Sequence, residues 1–115
     1  MSKTVAIHQP NFFPWLGYFD KIVRSDVFVF FDDVQFPKKG GSWSNRVKML
    51  IGGEAKWVTA SIERNYSGLR NINEMNFQDD KWRVKMLKSL CSNYNKNSFY
   101  EEAMEVVEPL ILNSE

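Results

Sequence analysis

The only histidine of the chain follows a short apolar stretch near the N-terminus. His8 and Gln9 come directly after residues 4–7, and Asn11 is separated from Gln9 by a proline. Imidazole is well suited to acid–base chemistry because its ordinary pKa lies near neutral pH. We therefore predict that His8 is a catalytic residue and that Gln9 and Asn11 bind substrate. A structural hydrogen-bonding role for the same histidine is the open alternative.

A pair of acidic residues follows the second apolar stretch. Asp32 and Asp33 close the sequence DVFVFFDD. Neighbouring carboxylates at a strand end can hold Mg²⁺ or a ribose hydroxyl, or they can simply cap a turn. No further acid cluster lies nearby in the sequence, so no metal site is predicted, and the sequence identifies no cofactor. We predict Asp32 as a second catalytic residue and Asp33 as a substrate-binding residue.

Aromatic, amide and basic side chains complete the predicted site. The prolines at positions 10 and 14 stiffen the segment HQPNFFPWLGY, which therefore resembles a rigid wall facing a ligand. The glycine-rich sequence PKKGGSWS can close over a phosphate group, although a solvated charge run is the commoner explanation. The alternative for HQPNFFPWLGY is a bend shaped by its prolines, with the aromatic side chains packed into the core. Further substrate contacts are predicted at Trp15, Tyr18, Gln35, Lys38, Asn45 and Arg46.

The spacing of apolar residues predicts the elements that position these side chains. Residues 4–7 and 27–31 are predicted strands, and the second is apolar on both faces, as in a covered parallel sheet. Between them, residues 15–24 repeat apolar positions at helical spacing. The carboxyl ends of parallel strands meet at one sheet edge, where α/β folds bind ligands. His8 and Asp32 should therefore lie at the same edge.

The second half of the chain predicts a hairpin and two helices. The glycine pair in IGGE favours a β-hairpin, a short strand is expected near Ile72, and residues 79–94 carry a helical pattern. Ser98 and Glu101 have capping-box spacing for a last helix, which Pro109 should kink or end. The fold class is α/β: a βαβ unit of a mostly parallel, Rossmann-like sheet, then the hairpin and the two helices.

Size and composition limit the classes of protein. The 115 residues (13.5 kDa) are 43% hydrophobic and 25% charged, which is typical of one globular domain. A net charge of +1 argues against nucleic acid as a partner. No apolar run has the length of a signal peptide or a membrane span, and the single cysteine excludes an internal disulfide, so we predict a cytoplasmic protein. Two strands and a hairpin make a thin sheet; residues 1–115 are therefore expected to be the N-terminal portion of a longer domain.

Three stretches of the chain resemble the WbqC-like family of bacterial proteins. They are IHQPNFFPWLGYFDKI, DVFVFFDDVQF and NRVKM. Because members of that family are longer than this chain, the resemblance implies an N-terminal half. The family's association with O-antigen gene clusters implies a transferase-like enzyme of surface-polysaccharide biosynthesis. Its substrate would be a nucleotide or a nucleotide-linked amino sugar.

The first stretch is also similar to the strand–loop–helix signature of HIGH-type nucleotidylyltransferases. Gln9 and Pro10 match the turn of that signature, and Gly17 matches its helix-start glycine. In the second stretch, VQF is similar to the N-P-x-Q-F stretch of pantothenate synthetases, which matches Gln35 to a substrate-side glutamine. Tyr18 stands where the signature has its final histidine. The similarity therefore implies a related fold without adenylyl transfer.

A non-catalytic function is the main alternative to an enzyme. Phe12, Phe13 and Trp15 would then form an aromatic docking face for a partner protein or for a second copy of the chain. Exposure of these side chains would favour this interpretation, and burial would remove its support.

Overall fold

The computed structural model describes residues 2–114 as two small sheets and three α-helices. Within that range no helix is both long enough and apolar enough to cross a membrane. In chain order the elements are β1 (Val5–His8), α1 (Leu16–Val23), β2 (Val27–Phe30), β3 (Arg46–Ile51), β4 (Glu54–Thr59), a 3₁₀ turn (Ile72–Glu74), α2 (Lys81–Tyr94) and α3 (Tyr100–Leu112).

The first three elements form the predicted βαβ unit. β1 pairs with β2 in parallel, with Val5 opposite Val27 and His8 opposite Phe30. The chain after α1 is fixed to the start of β1, because the carboxylate of Asp26 accepts a hydrogen bond from the backbone N–H of Thr4 at 2.7 Å. The parallel pairing confirms the mixed α/β class.

One face of the parallel sheet differs from the sequence expectation. Val5, Ile7, Val27 and Val29 point away from α1 and are 40–56% exposed. On the opposite face Phe28 is covered, since the ring of Tyr18 on α1 lies 5.5 Å from that of Phe28. The prediction that β2 is buried on both faces was therefore wrong for the described chain, because only one layer packs on this sheet.

The predicted hairpin is confirmed. β3 and β4 pair antiparallel up to Ile51 and Glu54, which leaves Gly52 and Gly53 as a two-residue turn. Both glycines have positive φ, +59° and +83°, the conformation that such a tight turn requires. The short strand expected near Ile72 is instead a 3₁₀ turn, because the carboxylate of Glu74 accepts a hydrogen bond from the Asn71 backbone N–H at 3.0 Å.

The core lies between the hairpin and the two C-terminal helices. α3 begins at Tyr100 without a side-chain cap, so the predicted capping box of Ser98 and Glu101 was wrong. The helix continues past Pro109 to Leu112, three residues beyond the expected break. Pro109 is exposed, which allows water to reach the carbonyl group that the proline cannot satisfy. The buried core residues are Met49, Ala60, Trp82, Met86, Leu90 and Ile111.

Arg83 joins the start of α2 to the end of α3. Arg83 is only 7% exposed, and its Nη1 donates to the carbonyl groups of Ile111 at 2.5 Å and Asn113 at 2.7 Å. Its Nε donates to Asp80 at 2.8 Å. The last carbonyl groups of a helix have no partner within the helix, and this arginine supplies a charged donor to the buried one of Ile111.

Replacing Arg83 should destabilise the fold more than any exposed change on the same helix turn. We expect Arg83→Met to lower the free energy of unfolding by about 2–4 kcal/mol, because the buried carbonyl group of Ile111 and the carbonyl group of Asn113 lose a charged donor. Lys81→Met, on the exposed side, is the matched control and should change it by less than about 0.5 kcal/mol. Urea unfolding measures both, and equal effects would contradict the assigned role.

Candidate functional site

The chain segment after β1 and the loop before β3 enclose a cavity of about 1070 Å³. Four residues predicted to act in the site, His8, Gln9, Asn11 and Trp15, line it. Phe31, directly after β2, lines it as well, which places the ends of both parallel strands at this cavity. The remaining lining comes from residues 7, 12–14, 37, 41–44, 47 and 48.

Two hydrogen bonds hold the walls of the cavity together. The hydroxyl group of Ser44 donates to the carbonyl oxygen of Pro10 at 2.9 Å, and the backbone N–H of Phe12 donates to that of Trp43 at 2.7 Å. Phe13 has a φ of +46°, which is unusual for a residue with a bulky side chain. Backbone of this kind persists only where the surroundings impose it, and it is concentrated at functional sites.

The imidazole of His8 is held in one orientation by three neighbours. Its Nδ1 lies 2.8 Å from the carbonyl oxygen of Gln9. Since a carbonyl group only accepts, Nδ1 carries a proton, and in the neutral form of the ring the lone pair is on Nε2. The rings of Trp15 and Tyr18 pack edge-to-face against it, with centroids 5.5 Å and 4.9 Å away. Nε2 is therefore the nitrogen available for proton transfer.

Tyr18 helps to fix the orientation of His8 but does not line the cavity. It is 2% exposed, and its hydroxyl group donates to the same Gln9 carbonyl oxygen at 3.1 Å. Burial raises the pKa of Tyr18 above its ordinary value of 10.0, so the phenol stays a donor. Gly17 leaves room for the neighbouring indole, because a side chain at that position would collide with the ring of Trp15.

The acidic residues and Gln35 lie next to the cavity and not in its lining. Asp32 is half-buried and follows Phe31; its backbone carbonyl accepts from the N–H of Asn73 at 2.9 Å. Asp33 is exposed, and Gln35 forms a β-bridge with Asn71. Among residues 2–114, no three His, Cys, Asp or Glu side chains lie close enough to hold a metal ion together.

Lys38 and Asn45 hold loops in place outside the cavity. The ammonium group of Lys38 donates to the carbonyl oxygens of Tyr66 at 3.2 Å and Gly68 at 3.0 Å. Asn45 is buried, and its amide nitrogen donates to the carbonyl oxygen of Ala60 at 3.2 Å. Their direct neighbours are thus backbone groups of the protein.

Arg46 lies at the rim of the cavity. Its guanidinium group rests against the backbone of Gly41, which lines the cavity, and 4.1 Å from the ring of Trp57. The sequence predictions did not include Lys48, although it lines the cavity on the same strand. The period-two alternation of β3 could have found it, because that alternation places Lys48 on the face of Arg46.

The comparisons with known proteins identify the family. The WbqC-like protein family matches residues 9–115, beginning one residue after His8. The chain belongs to the WbqC-like protein family. An uncharacterized protein of Mycobacterium tuberculosis, Rv1507c, is 30% identical over 110 residues, which is 96% of this chain and 47% of that protein. This WbqC-like chain thus spans about half the length of the relative, and no solved structure matches it.

The family match covers most of the cavity but does not assign chemistry to it. Gln9, Asn11 and Trp15 fall within the matched range, as do the loop at residues 41–44 and Lys48. The roles of individual side chains in this WbqC-like chain are therefore assigned from the geometry of the cavity.

The buried phenol of Tyr18 gives a pH-dependent prediction. Because its pKa is raised in the folded state, the folded chain holds this proton more tightly than the unfolded chain does. The stability that follows is complete below about pH 10 and is lost as the pH rises through the folded-state pKa. We expect Tyr18→Phe to cost about 1 kcal/mol at pH 8 and to lose less stability than the wild type between pH 8 and 11.

Urea unfolding at pH 8, 10 and 11 measures this difference. Tyr66→Phe removes a phenolic hydroxyl group outside the cavity and serves as the control. If the free energy of unfolding fell by the same amount between pH 8 and 11 in the wild type and in Tyr18→Phe, the role given to Tyr18 would be contradicted.

Proposed function

We propose that this chain belongs to a transferase-like enzyme of bacterial surface-polysaccharide (O-antigen) biosynthesis. Its substrate is a nucleotide or a nucleotide-linked amino sugar, which binds in the cavity beside His8. The observation that carries the proposal is the meeting of His8, Gln9, Asn11 and Trp15 in one large cavity at the ends of the parallel strands. Membership of the WbqC-like family supports a role in surface-polysaccharide biosynthesis. A reaction on a nucleotide-linked precursor is consistent with a cytoplasmic enzyme.

In this proposal His8 is the acid–base residue. Nε2 of the neutral ring takes the proton from an acceptor hydroxyl or amine group as that group attacks the substrate. The bond to the leaving group breaks, and the leaving group departs with the bonding electrons. The Gln9 carbonyl oxygen stabilises the imidazolium ion that forms, because it already accepts the hydrogen bond from Nδ1.

The other predicted residues have supporting roles. Asn11 offers an amide group to substrate hydroxyl groups, and the exposed indole of Trp15 can stack on a sugar or base. Asp32 is the second acid–base candidate because it follows Phe31 at the cavity. Asp33, Gln35, Lys38 and Asn45 shape the surrounding loops. The nucleotidylyltransferase-like arrangement of strand, turn and helix is part of this proposal.

Binding of nucleotide sugars tests the proposed function. We expect UDP-N-acetylglucosamine to bind and His8→Asn to weaken binding by about tenfold, because asparagine can keep the bond to Gln9 but has no group at the Nε2 position. Ser92→Ala, an exposed change on α2, is the control and should bind as the wild type does. Isothermal calorimetry measures the affinities, and failure of all nucleotides and nucleotide sugars to bind would overturn the proposal.

A non-catalytic docking module is the second candidate. Phe12 and Phe13 pack against the core, which weakens it, but Trp15, Leu16 and Phe19 are exposed along α1. Light scattering after size-exclusion chromatography separates the two candidates. A monomer that binds nucleotide sugars favours the enzyme, whereas a dimer broken by Leu16→Lys and without ligand binding favours docking.

We also propose that residues 1–115 are the N-terminal portion of a longer domain. Two observations support this: the bare aliphatic face of Val5, Ile7, Val27 and Val29, and the length of the mycobacterial relative. Parallel sheets are normally covered on both faces. A following segment that packs on this face would supply the missing layer.

Binding of the apolar dye ANS tests whether this face is bare. We expect the 115-residue chain to bind ANS, and the double variant Val5→Thr/Val27→Thr to bind about half as much or less with an unchanged melting temperature, because the altered side chains are exposed. A double variant of the buried residues Met49 and Leu90 to threonine is the contrasting control and should lower the melting temperature. Unchanged ANS binding by the first variant would contradict the proposal.

A further inference from the structure

The outer face of the hairpin carries a cluster of two cations and two indoles. Arg46 and Lys48 lie two residues apart on β3, and Trp57 lies opposite Lys48 on β4. The Trp57 ring is 4.1 Å from the guanidinium carbon of Arg46 and 5.3 Å from the ammonium nitrogen of Lys48. The ring of Trp43, from the loop before β3, is 5.3 Å from that of Trp57.

This cluster is not required to build the core. Met49 and its apolar neighbours point to the other face of the hairpin and pack there against α2 and α3. Trp43 and Trp57 are 57% and 43% exposed, which is unusual for indoles that only stabilise a fold. The two indoles therefore present ring surface to solvent beside the cavity that Trp43 lines.

The two cations have no acidic partner within residues 2–114. No carboxylate forms an ion pair with Arg46 or Lys48 there, and no protein group accepts a hydrogen bond from either side chain. The guanidinium group is nevertheless held in place between the backbone of Gly41 and the ring of Trp57. A fixed and unpaired guanidinium group is ready to bind an anion with little loss of conformational entropy.

The chemistry of the cluster defines its ligand. Guanidinium groups bind phosphate through two parallel hydrogen bonds, whereas an ammonium group acts as a point charge. Indole faces stack on nucleobases and on the apolar faces of sugar rings. We propose that Arg46, Lys48, Trp43 and Trp57 form the phosphate subsite of the His8 cavity and hold the diphosphate group of a nucleotide-linked sugar. This inference rests on the proposed function and extends it.

Lys48 fixes the direction of the ligand. It lines the cavity, whereas Arg46 and Trp57 lie just outside it. A diphosphate bound between Arg46 and Lys48 therefore spans the rim, with one end of the ligand on the indoles and the other directed toward His8. Lys38 does not take part, because its ammonium group is occupied by the carbonyl oxygens of Tyr66 and Gly68.

Calorimetric titration with inorganic pyrophosphate, UDP and UDP-N-acetylglucosamine tests the subsite. We expect Arg46→Gln and Lys48→Gln each to weaken all three ligands by about tenfold or more, and higher salt to weaken the wild type. Lys56→Gln removes the same charge from an exposed position on β4, where Lys56 is 3.7 Å from Glu54. It is the matched control and should bind as the wild type does. Arg46→Lys, which keeps the charge but loses the planar fork, should fall between wild type and Arg46→Gln.

The outcomes separate the subsite from the proposed function. If UDP and UDP-N-acetylglucosamine bind equally well to Arg46→Gln, Lys48→Gln and Lys56→Gln, the subsite is wrong while the His8 cavity stands. If the wild type binds none of the three ligands, both proposals fall. Tighter binding of single-stranded RNA than of UDP, weakened by the same variants, would overturn the assignment to a small phosphate ester. Lys48 is exposed, so Lys48→Gln keeps the test valid even if Arg46→Gln fails to fold.

Discussion

The position of the segment between β1 and α1 is the constraint on which the rest of the site depends. It connects the parallel strand pair to the hairpin, and two hydrogen bonds, from Ser44 to Pro10 and from Phe12 to Trp43, fix it there. On its other side Phe12 lies 5.9 Å from the Trp82 ring at the start of α2. The cavity exists because this segment contacts both the loop before β3 and the core. Without those contacts His8 in β1 and Lys48 in β3 would not line the same cavity.

Both halves of the cavity are stiff for different reasons. The prolines at positions 10 and 14 limit the backbone on the His8 side, and ring contacts among His8, Trp15 and Tyr18 fix the side chains there. On the other side, the glycine turn and the paired strands hold β3, and Arg46 is held by stacking. A ligand that spans the cavity thus meets groups whose positions are largely set before it binds, which lowers the entropic cost of binding.

The sequence predicted those elements whose apolar residues repeat with a clear period. The helix at α2 is such an element, whereas the hairpin turn was predicted from its pair of glycines. It failed where a local hydrogen bond or a missing layer decided the structure. The bond between Glu74 and Asn71 makes a 3₁₀ turn where β-branched Ile72 suggested a strand, and the uncovered face of β2 depends on what packs against it. Neither feature is encoded by periodicity.

The positions of some site residues could be predicted from the sequence, and those of others could not. His8 ends β1 and Gln9 follows it, so their place at the sheet edge follows from the topology of parallel sheets. The partners of Lys38 could not be predicted, because they are carbonyl groups of a loop almost thirty residues further along the chain. The same holds for the contact between Arg46 and Gly41, which depends on how the loop folds back on the strand.

The left-handed backbone of Phe13 connects these observations. Glycine would adopt that φ without strain, yet a phenylalanine occupies the position, and its ring packs edge-to-face on Phe12 with centroids 4.9 Å apart. The packing of the aromatic side chain therefore helps to hold the backbone in this conformation. Since Phe13 also lines the cavity, the packing that imposes this strain is the packing that sets the shape of the cavity. The aromatic residues between His8 and Tyr18 thus contribute to the core and to the cavity together, and this wall of the cavity is rigid because its reverse side is part of the core.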